Sequence, residues 1–296
     1  MRKMDQPYAI EFQNVSISFD DKPVLVDVSF KLQHGAMIIL TGESGSGKSV
    51  LMRLAMGLEK PDAGQIFING REICRLRESD LLAIRGGLMG MVFQEESLFT
   101  GLSVYDNVAY RLDEHGWSEE DIDKAVNEVL KFVGLDGEDN KLPEELSGGM
   151  RRRLEIARAL VGWPSIMLFD EPTMGLDPIV ALQVMDLVIR ARDIHHISSI
   201  YVTKKPMEIP YFANYVARRK EGGIIVEEAE TAERADTSII VLESGRIVLN
   251  GSVESFQSSE LESVKRMLTL EQDTNEPEVY FQDPWAKSRV ARERLL

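Results

Sequence analysis

The segment that most constrains the fold is the glycine-rich run GESGSGKS at residues 42–49. An uninterrupted apolar run, residues 36–40, precedes it. This pattern is typical of a strand that is buried on both faces of a sheet. Residues 48–58 follow, and their apolar side chains recur with the spacing of one helical face. The sequence therefore predicts a strand, a glycine loop and a helix, in that order.

The loop matches the pattern G-x-x-x-x-G-K-[ST] of phosphate-binding loops. Small residues let successive backbone N–H groups converge on a phosphate, and the start of the following helix adds partial positive charge. Lys48 can neutralise the β- and γ-phosphates of a nucleotide, and the Ser49 hydroxyl can bind Mg²⁺. The candidate nucleotide-binding residues of this loop are Gly42, Glu43, Ser44, Gly45, Ser46, Gly47, Lys48 and Ser49.

Two adjacent carboxylates end a second apolar run, residues 166–169. Side chains alternate along a strand, so consecutive residues at its end can serve different roles. We expect Asp170 to face Mg²⁺ and Glu171 to act on a water molecule opposite the γ-phosphate. A turn that merely ends the strand is the alternative, and the loop at residues 42–49 makes it the weaker one.

A third element begins at Ser147, a good N-cap that is followed by Gly148 and Gly149. The glycines let backbone N–H groups approach a ligand, so this helix start is a candidate second anion site. One nucleotide already has its phosphate loop within the chain, so the second site indicates a phosphate presented by another copy of the chain. The alternative is a plain helix cap, and for the arginines at 151–153 we favour a basic, solvated face.

The remaining pattern predicts an α/β core. Residues 10–32 alternate apolar and polar side chains around a turn at 20–23, which is typical of two antiparallel strands. Residues 103–160 are mostly helical in pattern, with a helix start at Ser118, and 178–194 are also helix-like. Further short strands are predicted at 66–68, 88–93, 166–169 and 199–202. Alternating strands and helices around a helical block predict an α/β fold with an inserted helical subdomain.

Composition excludes several classes of protein. The chain has 34 basic and 49 acidic side chains and a net charge of −15, which disfavours nucleic acid as a partner. A single cysteine, Cys74, cannot form an internal disulfide, and the histidine spacing does not indicate a metal site. Apolar runs fall short of the about 18 to 20 residues that cross a bilayer, and no signal-peptide pattern is present, so neither secretion nor membrane spanning is expected.

Two segments are expected to be peripheral. Residues 217–237 mix both charge signs around two adjacent glycines and predict a surface hairpin or a flexible insertion. The tail from Glu271 has an acidic half, aromatic residues and a basic end. For both segments we favour a solvated surface.

These motifs, in this order, resemble those of ATP-binding cassette (ABC) ATPase subunits. The resemblance covers residues 8–258 and implies a P-loop fold with an antiparallel β subdomain, and a helical subdomain at about 100–160. Residues 259–296 are then a C-terminal extension. The resemblance implies ATP and Mg²⁺ as cofactors, with Phe19 stacking on adenine and Gln94 contacting Mg²⁺ or the attacking water. It also assigns Ser147 to Gly149 to the signature, Asp170 and Glu171 to the Walker B pair and Asp177 to the D-loop.

One position departs from the family pattern. Lys204 stands where these ATPases usually carry a histidine that senses the γ-phosphate. A lysine still brings positive charge, but it is longer and is not a planar donor and acceptor. We therefore include Lys204 among the candidate catalytic residues, with Glu171 and Gln94. Met150 replaces the commoner glutamine at the end of the signature, a milder difference.

Within the family, residues 91–110, the signature and residues 171–178 are most similar to ATPases of Mla-type phospholipid transporters. This implies a head-to-tail dimer beneath integral membrane permease subunits, on the cytoplasmic face of the inner (plasma) membrane, with an MCE-domain protein as a possible lipid carrier. The apolar segment 97–110 would contact the permease, and Tyr280, Phe281 and Trp285 of the tail could clasp the second ATPase chain. The alternatives are an ATPase of an amino-acid or other small-solute importer, and a non-transport ABC ATPase.

Overall fold

We describe a computed structural model, and its described residues are 8–230 and 236–273. The tail residues Tyr280, Phe281 and Trp285, for which a clasp on the second chain is predicted, lie outside these ranges. The strands are β1 Ile10–Phe19, β2 Lys22–Leu32, β3 Met37–Thr41, β4 Ala63–Ile68, β5 Arg71–Glu72, β6 Met89–Val92, β7 Ile166–Asp170, β8 Ser198–Val202, β9 Tyr215–Lys220, β10 Gly223–Glu228, β11 Thr237–Glu243 and β12 Arg246–Gly251. The helices are α1 Lys48–Ala55, α2 Glu78–Leu88, α3 Val104–Glu114, α4 Glu119–Val133, α5 Gly148–Leu160, α6 Pro178–His195, α7 Glu208–Asn214, α8 Val253–Gln257 and α9 Glu262–Asp273, with a 3₁₀ turn at Pro143–Glu145.

A six-stranded sheet in the order β12-β11-β3-β8-β7-β6 forms the centre of the molecule. Its strands are parallel except for β12, which pairs antiparallel with β11. A second, antiparallel sheet has the order β2-β1-β4-β5. The predicted fold class, an α/β core with an antiparallel β subdomain and a helical subdomain, is confirmed.

Strand β3 separates two hydrophobic cores. Met37 and Ile39 pack into the core shared with α3 to α6, whereas Ile38 and Leu40 pack into the core shared with α1 and the antiparallel sheet. Alternate residues of a strand point to opposite faces, so a strand covered on both sides must be apolar at every position. This explains the uninterrupted apolar run that leads into the glycine loop.

The helical subdomain consists of α3, α4 and α5, which pack on one another. Ser118 caps α4 by accepting a hydrogen bond from the backbone N–H of Asp121 at 3.2 Å, which confirms the predicted helix start. Arg111 of α3 donates to the carbonyl oxygens of Gly86 and Met89, both at 2.8 Å, and so connects the subdomain to the edge of the central sheet.

Strands β9 and β10 form a hairpin, one of the two structures predicted for the segment of mixed charge at residues 217–237. Only part of this hairpin is solvated: Lys220 and Glu228 are exposed, whereas Ala217 and Val226 are 6% and 5% exposed. Arg192 of α6 donates to the carbonyl oxygen of Tyr215 at 2.9 Å, and Asp193 accepts from the N–H of Ala217 at 2.7 Å. The hairpin is therefore docked on α6.

Within residues 8–230 and 236–273, none of the helices combines the length and the apolar character needed to cross a membrane.

Candidate nucleotide-hydrolysis site

The glycine loop lies between the end of β3 and the start of α1, as the sequence predicts. Gly42 has a φ of 147°, and a Cβ atom there would lie 2.1 Å from the carbonyl oxygen of Leu242. Gly47 has a φ of 102°, and a Cβ atom would lie 2.6 Å from the Leu25 side chain. Only glycine combines these dihedrals with so close an approach, so the neighbouring segments hold the loop in a conformation that requires glycine at both positions.

Lys48 lies folded over this loop. Its Nζ donates to the carbonyl oxygens of Gly42 and Glu43 at 2.7 and 2.8 Å, and the residue is only 5% exposed. Burial lowers the pKa of Lys48, the positive charge of Lys204 adds to this, and the carboxylates of Glu171 and Asp170 oppose it. The ammonium group is thus placed inside the candidate phosphate site.

Asp170 ends β7 and is 5% exposed. Burial raises the pKa of its carboxyl group, and a hydrogen bond from the Ser49 hydroxyl opposes the rise. Among the described residues its Oδ1 atom has no hydrogen-bond partner. A buried, unsatisfied carboxylate oxygen beside a hydroxyl group is a donor set that suits Mg²⁺, so these residues fit the predicted metal.

Glu171 follows in a left-handed conformation, with a φ of 49°. Its N–H donates to the carbonyl oxygen of Val202 at 3.1 Å, which ties the end of β7 to the end of β8. Its Oε1 atom lies 2.8 Å from Nζ of Lys204, and the two side chains are 8% and 39% exposed. A non-glycine residue in this conformation costs of order 1 to 3 kcal/mol, which is typical of residues at functional sites.

Lys204 therefore contacts the candidate catalytic carboxylate directly. The structure brings it together with Glu171, and its charge also acts on Lys48 and Asp170. Positive charge is present at the position where the family usually has a histidine.

Gln94 lies in the loop after β6, and its Nε2 atom is 3.3 Å from the Sδ atom of Met174, in the loop after β7. Arg152 of α5 holds the backbone here by donating to the carbonyl oxygen of Phe93 at 3.0 Å. The Gln94 side chain is thus placed beside the loop that follows Glu171.

The expectation of a solvated face for the arginines at 151–153 is wrong. Arg152 is 8% exposed and pairs with Glu155 at 2.7 Å. Arg151 pairs with Glu96 at 2.9 Å, and Arg153 donates to the carbonyl oxygen of Gly134 at 2.9 Å. The run connects α5 to two neighbouring segments, because Arg151 and Arg152 contact the loop after β6 and Arg153 contacts the end of α4.

The remaining predicted residues, apart from the partly buried Gly149, lie on the surface. Ser147 caps α5 by accepting from the N–H of Met150 at 3.3 Å, and Gly148 follows it on the surface, whereas Gly149 lies against Val180. Asp177 caps α6, and Phe19, at the β1–β2 turn, is 38% exposed. Among residues 8–230 and 236–273, no hydrogen bond or ion pair joins residues 147–149 to residues 42–49. This placement leaves the helix start of α5 accessible to a ligand held by another molecule.

Sequence reasoning missed three charged residues near the site. Glu155 accepts from the N–H of Ser97 at 2.9 Å, and Arg158 donates to the carbonyl oxygen of Ser97 at 2.6 Å. Their spacing with Arg152, three residues apart along α5, was an available signal for one charged helix face. Glu208, the first residue of α7, carried no comparable signal.

A family model described as "ABC transporter" matches residues 25–174. The protein TRIGALACTOSYLDIACYLGLYCEROL 3, chloroplastic, of Arabidopsis thaliana is 36% identical over 273 residues, which are 90% of this chain and 74% of that protein. The intermembrane phospholipid transport system ATP-binding protein MlaF of Haemophilus influenzae is 34% identical over 240 residues, 81% of this chain and 88% of that protein. Relatives at similar identity include methionine and sulfate/thiosulfate import ATP-binding proteins.

A solved structure gives the same result for the fold. A dimeric ATP-binding cassette in a post-hydrolysis state, bound to ADP and Pi, superposes with a TM-score of 0.68 and is 26% identical. The match covers 82% of this chain and 98% of that one. The matched family model includes the glycine loop, the signature helix and the carboxylates that end β7. The chain therefore belongs to the ABC transporter family and is an ATP-binding subunit that hydrolyses ATP.

Proposed function

We propose that this ATPase powers phospholipid transport through separate permease subunits, with the site roles set out below. The observation that carries the site assignment is the convergence of Lys48, Asp170, Glu171 and Lys204 at the ends of β3, β7 and β8. The cargo class is supported by similarity over most of both chains to a phospholipid transport ATP-binding protein.

In the proposed mechanism the side chains of this chain position and polarise the reacting groups. Glu171 accepts a proton from the attacking water, and Lys48 stabilises negative charge on the phosphates. Lys204 orients the Glu171 carboxylate and adds positive charge near the γ-phosphate. Positioning and electrostatics supply most of the rate in phosphoryl transfer, so rigid placement of these groups is the main contribution of the fold.

Asp170, Ser49 and Gln94 are the proposed metal-binding side chains. When bound, Mg²⁺ neutralises charge on the phosphates and helps to orient them. The unsatisfied Oδ1 of Asp170 and its hydrogen bond from Ser49 support the first two assignments. Gln94 is assigned by its position in the motif, and its contact with Met174 places it beside the loop of Glu171.

The functional unit is proposed to be a head-to-tail dimer with two composite sites. Each site would combine residues 42–49 of one chain with Ser147, Gly148 and Gly149 of its partner, while Phe19 would stack on adenine and Asp177 would lie at the interface. The exposed helix start of α5 supports this, as does the dimeric state of the solved relative.

The segment 97–110 is the proposed contact with the permease, at the cytoplasmic face of the membrane. Val104 is fully buried, and Leu98 and Tyr105 pack against the core. In contrast, Phe99 and Tyr110 are 41% and 45% exposed, and their ring centroids are 4.9 Å apart. This exposed aromatic pair forms an apolar surface for a permease helix.

An ATPase of an amino-acid importer is the second candidate, because methionine import ATP-binding proteins match at 34% identity over 88% of this chain. The deciding experiment is to reconstitute the chain in liposomes with the permease that its neighbouring genes encode. ATP-dependent movement of labelled phospholipid and, in parallel, of amino acids is then followed. Solute uptake without lipid movement would select the importer. Full ATPase activity without any copurifying permease would favour the non-transport class, and an MCE-domain partner would support lipid cargo.

A further inference from the structure

A buried carboxylate that the roles above do not include connects two loops of the site. Glu208 is 3% exposed. Its Oε2 atom accepts hydrogen bonds from the Thr203 hydroxyl at 2.7 Å and from the Tyr201 hydroxyl at 3.0 Å. Its Oε1 atom accepts from the hydroxyl of Thr173. The carboxylate is therefore held by hydroxyl groups from three separate positions in the chain.

Two of these hydroxyl groups belong to the loops that carry the proposed catalytic pair. Thr173 lies two residues after Glu171, in the loop that follows β7, and Thr203 directly precedes Lys204, in the loop that follows β8. Thr203 also accepts a hydrogen bond from the N–H of Lys205 at 3.0 Å. One carboxylate thus sets the separation of the two loops and the turn on which Lys204 stands.

Stability alone does not account for an acidic side chain here. Burial raises the pKa of Glu208, and hydrogen bonds from Thr173 and Thr203 oppose the rise. Replacing buried charged groups by well-packed apolar side chains of similar volume is often neutral or stabilising. What a fully satisfied polar network does supply is one defined geometry for the segments it joins.

We infer that Glu208 is a positioning residue for ATP hydrolysis, which holds Lys204 against Glu171 by bridging Thr173 and Thr203. The inference rests on the proposed roles of Glu171 and Lys204. Glu208 acts through the two threonines. Its loss should loosen the ion pair between Lys204 and Glu171, now 2.8 Å apart, without disturbing the phosphate loop. Misplacement by about 1 Å can reduce a catalysed rate by about a hundredfold.

The test is steady-state ATP hydrolysis by the full chain. Glu208→Gln should lower kcat by about tenfold or more while KM for ATP stays within about twofold, because binding through residues 42–49 is retained. In a Lys204→Ala background the same substitution should have little further effect, because there is no lysine left to position. Asp186→Asn is the matched control: it changes another buried carboxyl group, which accepts from the Tyr211 hydroxyl, and it should retain kcat.

A second pair of variants gives a test that does not depend on whether the Glu208→Gln protein folds. Thr203→Val removes the bridging hydroxyl with little change in shape and should lower kcat, whereas Thr203→Ser should restore most of it. The inference is overturned if Glu208→Gln lowers kcat equally with and without Lys204, or if Thr203→Val and Glu208→Gln both retain kcat. It is also overturned if Lys204→Ala alone leaves kcat unchanged. The cargo assignment is judged separately, by the liposome assay with the unmodified chain.

Discussion

Removal of the Arg152 guanidinium should destabilise the protein by about 3 kcal/mol. Its side chain is 10% exposed, that of Glu155 is 4% exposed, and Nη1 of Arg152 lies 2.7 Å from Oε2 of Glu155. Arg152→Ala leaves a buried carboxylate without its paired cation, which costs about 3 to 5 kcal/mol. The lower end applies, because Glu155 keeps its hydrogen bond from Ser97 at 2.9 Å and the charge of Arg158 remains nearby.

The loss of stability caused by Arg152→Ala should depend on pH. Burial raises the pKa of the Glu155 carboxyl group in the folded protein, and Arg152 opposes the rise, so removal of Arg152 raises this pKa further. A carboxyl group with a raised folded-state pKa holds its proton more tightly when folded. The free energy of unfolding therefore falls as pH rises from the pKa of this group in the unfolded state through its pKa in the folded state. The deficit of Arg152→Ala should be larger near pH 8 than near pH 5.

The assay is urea unfolding of the wild type and the variant at both pH values, compared through the free energy of unfolding. Lys124→Ala is the control, because Lys124 and Glu120 form an exposed pair on α4, with side chains 68% and 80% exposed. That change should cost less than about 0.5 kcal/mol. A loss below about 1 kcal/mol for Arg152→Ala would refute the argument, because the pair would then behave like an exposed one.

Three further predictions concern turnover. Glu171→Gln should retain ATP binding and lose about 10²- to 10⁴-fold in kcat, measured by nucleotide binding and phosphate release, because the amide cannot accept the proton of the attacking water. Lys204→His should be more active below about pH 6.5 than above it, since only the protonated imidazole replaces the lysine charge, and the pH profile of kcat checks this. Mixed dimers of a Lys48→Ala chain and a Ser147→Arg chain should retain one intact composite site, so their activity should exceed that of either parent dimer.

The opposing results are equally specific. Loss of ATP binding in Glu171→Gln would reject its role as the base. A flat pH profile of Lys204→His would show that charge at this position does not matter for turnover. Wholly additive loss in the mixed dimers would indicate separate sites within single chains.

Some parts of the fold were predictable because their signals are local. The apolar run before Gly42 requires a strand covered on both faces. Ser118 caps its helix with a hydrogen bond from an N–H group of that same helix, so no distant residue is needed. Helix α2 was not predicted, because Gly86 and Gly87 in its last turn disfavour a helix. A Cβ atom at Gly86 would lie 1.4 Å from the ring of His115. Glycine at this position leaves room for the His115 ring beside the helix.

The sequence by itself determined the phosphate loop, the paired carboxylates and the signature, because their chemistry depends on neighbouring residues in the chain. Only the tertiary structure decided which charged groups are buried and what they contact. Arg152 reaches a carbonyl oxygen 59 residues away, and Glu208 reaches a hydroxyl group 35 residues away. A buried charge is tolerated only where such distant partners satisfy it, and no local sequence pattern specifies which residues those partners are. For the same reason, the contact of Lys204 with Glu171 became visible only in the fold.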